Sequence, residues 1–168
     1  MKNIKFSRLF AAFAFVAVLA LTACQNQPSS STYPIYGKWV DSYDSYNTYE
    51  TYDCSIESDK VETASYGAHS GEVVVEEINE DSGYIYYQFE KNITGYTGTY
   101  PYMTEIEVEA KGKWGAIAYI KLQDDKVLMC DVYDPAYDFP EDLEKCKAKY
   151  TIDAGYFSNM VEFKRVTE

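Results

Sequence analysis

An all-β domain, an antiparallel meander closed into a β-barrel of about eight to ten strands, is the fold class that this sequence predicts. Three observations predict it. From Gly37 onward apolar and polar residues alternate with period two, and short polar turns separate the alternating runs. All 18 tyrosines, a residue type favoured in strands, fall after position 23. Closure into a barrel removes the exposed edges that so many short strands would otherwise leave. One short helix near the C-terminus completes the expectation.

The plainest strand is the run in which Ile106, Val108 and Ala110 alternate with Glu105, Glu107 and Glu109. Trp114, Ala116, Ala118, Ile120 and Leu122 form the expected inward set of the next. Val127, Met129, Asp131 and Tyr133 then alternate with Leu128, Cys130 and Val132. Val73 to Val75, Tyr84 to Phe89 and Met160 to Arg165 supply further strands. The segments Asn79 to Gly83, Gln123 to Lys126 and Asp153 to Gly155 have hairpin-turn composition. The helix is expected after Pro140: Glu141 and Asp142 suit its N-terminal dipole, and Lys145, Lys147 and Lys149 gather toward its C-terminus. Leu143, Cys146 and Tyr150 recur at three- and four-residue steps as its apolar stripe.

Ahead of the domain, Lys2, Lys5 and Arg8 precede an apolar run of 13 residues from Leu9 to Leu21. A bilayer-spanning helix needs about 20 apolar residues, so the run has instead the layout of a cleaved secretory signal. Leu21-Thr22-Ala23-Cys24 resembles the lipobox of bacterial lipoproteins. That resemblance implies removal of residues 1–23 as a signal peptide, a thioether-linked diacylglycerol on Cys24, and acylation, palmitate being typical, of the new N-terminus. Residues 24–34, the lipidated Cys and a Ser- and Pro-rich stretch, are expected as a tether, leaving 35–168 as one domain. Gln25 stands where, in such lipoproteins, an Asp would favour inner-membrane retention. The expected location is therefore the cell envelope, lipid-anchored to the outer membrane on its periplasmic face or at the cell surface.

Charge narrows the partners. The full chain carries a net charge of −12, and with the three basic residues of the leader removed 12 basic residues face 27 acidic ones, a net −15. Nucleic acid is excluded as a partner, because binding it relies on Lys and Arg neutralising phosphate. Cys54, Cys130 and Cys146 remain beside Cys24, which allows one disulfide with a thiol left over, or none. No Cys-x-x-Cys or Cys/His cluster points to a metal, and no phosphate cradle or dinucleotide fingerprint points to a cofactor. His69 is the only histidine and lies in a turn-like stretch without a catalytic motif, so no catalytic residue is assigned and no enzyme activity is expected. Glu105, Glu107 and Glu109 fit a charged solvent face better than a calcium site.

Gly37-Lys38-Trp39 resembles the Gly-x-Trp that opens the first strand of lipocalins and related calycin barrels. The resemblance implies that Trp39 packs at a closed end of the barrel beneath a basic residue from near the last strand. Arg165, the only arginine after the leader, falls in that final strand. Gly37, Trp39 and Arg165 are accordingly the expected structural set. Asp131-Val132-Tyr133 loosely echoes the second motif of that family, with Cys130 in place of a Thr. The functional expectation is a membrane-anchored barrel that binds a small amphipathic or hydrophobic ligand without turnover. Tyr84 and Tyr86 would offer hydroxyls to it, and Ala116 and Ala118 would leave it room. The alternative is a surface interaction protein, a solid barrel whose Tyr-rich acidic exterior meets a host protein, a glycan or an envelope partner. An inhibitor acting through the 133–140 loop is a third reading.

Overall fold

The structure, a computed structural model, describes residues 33–41, 53–63 and 65–166. The segments expected as leader, lipobox with Cys24, and tether up to residue 32 lie outside the described residues. Eleven strands and one helix follow in order: β1 (Gly37–Asp41), β2 (Asp53–Ile56), β3 (Lys60–Thr63), β4 (Gly67–Ser70), β5 (Val73–Asn79), β6 (Ser82–Gln88), β7 (Ile93–Thr97), β8 (Thr104–Val108), β9 (Trp114–Ile120), β10 (Lys126–Asp131), α1 (Leu143–Lys149) and β11 (Val161–Arg165). The protein is thus mostly β with a short helix near the C-terminus.

Nine strands form one antiparallel sheet in the order β4-β3-β2-β1-β11-β10-β9-β6-β5, and β7 and β8 form a separate hairpin. The strongly alternating 105–109 run thus belongs to that hairpin rather than to the main sheet. Apart from β4 and β5, consecutive strands of the main sheet lie side by side, with the hairpin interposed in sequence between β6 and β9 and the helix between β10 and β11. The last strand pairs with the first, setting Arg165 opposite Trp39 and Phe163 opposite Asp41. No ladder joins the edge strands β4 and β5 among the described residues.

The sheet is nevertheless curled. In a flat sheet, strands four places apart would stand about 19 Å from each other and strands seven places apart about 34 Å. Yet the turn after β3 bonds directly to the end of β10: the Ser65 N–H donates to Asp131 Oδ2 at 3.2 Å and the Tyr66 hydroxyl to the Val132 carbonyl at 2.8 Å. His69 of β4 stacks on Tyr87 of β6 with ring centroids 5.3 Å apart. Gly71 and Glu72 alone connect β4 to β5, so the two edges approach within about 11 Å at that corner.

Residues opposite one another in a ladder share a face. The registers therefore chain one continuous row across the sheet. It runs from Val75 through Ile85 and Ile117 to Met129 and Asp131, on to Phe163 and Arg165, then Trp39, Cys54, Ile56, Val61 and His69. Two tyrosines of this face lie over glycines in the facing strand. A Cβ on Gly115 would meet the Tyr87 ring at 2.8 Å, and one on Gly83 the Tyr119 ring at the same distance.

The opposite face of β6 and β9 carries Tyr84, Tyr86, Ala116 and Ala118, and α1 covers it. The Asp142 side chain caps the helix by accepting the Lys145 N–H at 2.8 Å. Lys147 pairs with Glu76 at 2.8 Å and lies over the Tyr86 ring, and Cys146 is fully buried. Just beyond the helix the Ile152 N–H donates to the Tyr84 hydroxyl at 3.0 Å. Both strands are therefore buried on both sides, the concave face by the curled sheet and the other by the helix segment.

Arg165 holds the two ends of the domain together. Its guanidinium carbon sits 4.1 Å from the Trp39 ring centroid. Its nitrogens donate to the carbonyls of Asp124, Tyr36 and Pro34, and the Trp39 indole N–H donates to the Ile35 carbonyl at 2.9 Å. Gly37 has φ +142°, which strains any other residue, and a Cβ there would stand 2.7 Å from Arg165 Nη1 and push the guanidinium aside. Arg165→Lys keeps the charge but loses the planar fork and its stacking. Urea unfolding is expected to show a loss of about 1–3 kcal/mol, with Gly37→Ala destabilising as well.

Candidate functional site

A cavity of about 460 Å³ opens at the end of the sheet where β1 finishes and β2 begins. It lies toward Asp41, about 13 Å along β1 from Gly37 and the Arg165 end. Its apolar floor comes from Ile117, Met129, Val161 and Phe163, with Cys54 beside them. These residues project inward because their ladder partners do, which the pairing of Phe163 with Asp41 and of Met129 with Val161 fixes. Asp41, Thr63, Ser65, Asp131, Tyr133, Ser158 and Asn159 supply polar groups. Among the described residues no Lys, Arg or His lines it.

Asp131 is the central group. It is the last residue of β10, and its inward position follows that of Val127 and Met129 in the same strand. Its carboxyl is enclosed by protein, although part of the residue's surface remains accessible at the cavity. Burial pushes it up to about 6, against hydrogen bonds from Ser65 and Thr63 that favour the ionised form. The Cys54 thiol is pushed well up, first by its own burial and then by Asp131 and Glu62. It is therefore protonated at neutral pH and a poor nucleophile.

Of the sequence-predicted residues, the structure brings Gly37, Trp39 and Arg165 together as described above. Tyr84, Tyr86, Ala116 and Ala118 also lie together, since Tyr84 faces Ala118 and Tyr86 faces Ala116 in the ladder. They do so on the helix-covered face, and none of them lines the cavity. The inward set expected for β9 is thus the outward one, and Gly115, Ile117 and Tyr119 point the other way. Both parities of this strand are apolar, so alternation alone carried no choice between them. Asp131 was the available signal: a carboxylate in register with Val127 and Met129 marks a polar spot on an otherwise apolar face.

His69 is 3% exposed, and neither ring nitrogen has a hydrogen-bond partner. Burial first, and Lys91 second, lower its pKa, although the nearby Tyr66 carbonyl works the other way. It packs as a neutral ring against Tyr87 and Phe89, away from the cavity lining. Cys54, Cys130 and Cys146 are all free thiols. No cluster of three or more potential metal ligands occurs among the described residues. Glu105 and Glu107 are exposed on β8, and Asn92 donates to Glu107 at 3.0 Å.

Compared with protein-family models, characterised proteins and solved structures, the chain matches none.

Burial raises the native carboxyl of Asp131 above its unfolded value near 3.8, so the folded state holds this proton more tightly. Its contribution to stability is therefore most favourable at low pH and declines as pH rises toward and through about 6. Asp131→Asn stays neutral at every pH and keeps an acceptor for Ser65. It is expected to exceed the parent in stability by about 1–2 kcal/mol at neutral pH and to match it near pH 4, by urea unfolding at both pH values.

Proposed function

We propose that this protein is an exported lipoprotein, held to the cell envelope through a lipidated Cys24, whose sheet forms an open barrel that binds a small amphipathic ligand without turning it over. The observation that carries the reading is the cavity itself. Its volume of about 460 Å³ falls within the range of about 300–1,000 Å³ typical of small-molecule sites. It also pairs an apolar floor with a few polar groups, as such sites do. The barrel reading rests on the cross-sheet bonds of Ser65 and Tyr66, on the stacking of His69 upon Tyr87, and on the two-residue link between the edge strands. Arg165 over Trp39 then plugs one end, as the calycin resemblance implies, and the cavity lies at the other. Binding rather than catalysis is favoured by the protonated Cys54 thiol and by the packing of His69 away from the cavity.

Anchoring rests on the charged and apolar leader and on Leu21-Thr22-Ala23-Cys24, and the outer membrane is favoured by Gln25. No helix among the described residues is long and apolar enough to cross a membrane. One observation favours the second reading, contact with a protein or glycan. Tyr96, Tyr100, Tyr102 and Met103 are exposed on the β7–β8 hairpin, Tyr100 and Tyr102 at 84% and 86%.

Native mass spectrometry of the full-length chain in detergent, after incubation with a lipid and metabolite extract, is expected to retain a small-molecule adduct. Ile117→Trp, which fills the cavity, is expected to lose that adduct, while Ala116→Val, on the helix-covered face, keeps it. A clean apo mass for the parent protein would shift the reading to the tyrosine-bearing hairpin. Cys24→Ala is expected to move the protein from the membrane pellet to the soluble fraction and to abolish labelling by radioactive palmitate.

A further inference from the structure

Among the described residues Asp134 is buried and Asp131 is largely surrounded by protein at the edge of the cavity, and the fold treats the two carboxylates differently. Asp134 is 3% exposed and receives both a cation and a hydroxyl: Lys149 Nζ lies 2.9 Å from Oδ2, and the Tyr150 hydroxyl donates to the same oxygen at 3.1 Å. Among the described residues Asp131 receives neutral donors, from Ser65 and Thr63, and no cation. A carboxylate removed from water without a cation is costly, and proteins ordinarily pair such a group or neutralise it. Asp131 differs from Asp134 in one further respect, which is that it borders the cavity.

Among the described residues the surroundings offer it no cation. The titratable groups around Asp131 among the described residues are Cys54 from β2, Tyr66 from the turn after β3, Tyr87 from β6, and Cys130 and Tyr133 beside it in sequence, and Asp41 from β1 shares the cavity lining. All are acidic or neutral. An anionic ligand would meet two carboxylates and no basic side chain of the described lining. A neutral alcohol would find hydrogen-bond partners but leave the charge uncompensated. An ammonium group supplies both the missing charge and N–H donors, and hydrogen bonds between ionised partners are roughly twice as strong as neutral ones.

We propose that the cavity selects small organic amines, with the ammonium group on Asp131 and an apolar body against Ile117, Met129 and Phe163. The inference rests on the cavity being a binding site, and it names the ligand class. It carries a pH dependence of definite sign. The carboxyl is charged at neutral pH and takes up a proton around its raised pKa of about 6, so amine affinity falls as the medium acidifies.

Calorimetric titration of the full-length chain with three probes of like shape tests this: 2-phenylethylamine, 2-phenylethanol and 3-phenylpropionate. At about pH 7.5 the amine is expected to bind roughly tenfold or more tighter than the alcohol, and the carboxylate most weakly. Amine affinity is expected to fall toward pH 5 while alcohol affinity stays constant. Asp131→Asn is expected to bring the amine down to the affinity of the alcohol. Equal binding of amine and alcohol by the parent protein would overturn the amine inference and leave the cavity reading standing. Tightest binding of the carboxylate would overturn it too, and would point to a shared proton on Asp131. Failure of all three probes to bind the folded parent protein would count against the cavity reading itself, and the amine inference would fall with it.

Discussion

Pairing of the first strand with the last, under the guanidinium of Arg165, is the constraint on which the remaining geometry depends. Side chains in a strand alternate between faces, so a slip of one residue between β1 and β11 would turn every inward residue of one strand outward. Trp39 opposite Arg165 removes that freedom. The ring accepts the cation over its face, and the fork reaches carbonyls on both sides of the ladder, from Asp124 and from the Pro34–Tyr36 segment. Lysine would reach one such acceptor well, whereas the planar fork is built for several. Once this register is set, Phe163 stands opposite Asp41, and the inward faces of β1, β10 and β11 converge on the cavity. The contact joins the two ends of the domain in sequence. Its loop-closure cost is therefore among the largest in the fold, which fits the concentration of so many interactions on one side chain.

The same constraint shows why parts of the structure were legible in the sequence and others were not. The helix was legible because its signals are local: Asp142 caps it, the lysines follow its dipole, and Cys146 and Tyr150 lie on its buried side. Trp39 and Arg165 were legible through a short motif and the scarcity of arginine. The faces of β6 and β9 were not legible. Tyr84-Ile85-Tyr86-Tyr87 and Ala116-Ile117-Ala118-Tyr119 are buried at every position, since a helix covers one side and the curled sheet the other. Alternation reports burial on one face only, so a strand covered twice gives no parity. The 105–109 run errs in the opposite sense. Its clear alternation comes from a hairpin with one side exposed, outside the main sheet altogether.

The placement of charge within the curled sheet also follows from what each end can supply. At the Arg165 end, backbone carbonyls and an indole face surround a cation, and the chain closes over it. At the Asp41 end, the turn after β3 folds across to β10 and brings a backbone N–H and a threonine to the Asp131 carboxyl. Those donors lower the cost of the charge without cancelling it, and the raised pKa is the measure of what remains. Tyr66 anchors the same turn by its hydroxyl to Val132, so the turn that carries the donors is tied to the strand end that carries the carboxyl. The result is a site whose polar group is fixed in place rather than free to swing toward bulk water.

A purely apolar cavity of this volume would favour any hydrophobe that fitted it, and would be cheaper to build. The sheet instead sets a carboxylate into the cavity lining beside Met129, while Val127 and Met129 on the same face of β10 stay apolar. The neighbouring enclosed carboxylate, Asp134, shows that the fold can bring a lysine and a tyrosine to such a group when it is structural. Replacing Asp131 by a neutral isostere would spare the native state the burial of a charge. Residues whose cost to stability is only partly offset by contacts within the fold are expected at sites of function. Asp131 meets that description, and Tyr84, Tyr86, Ala116 and Ala118, which pack beneath the helix, do not.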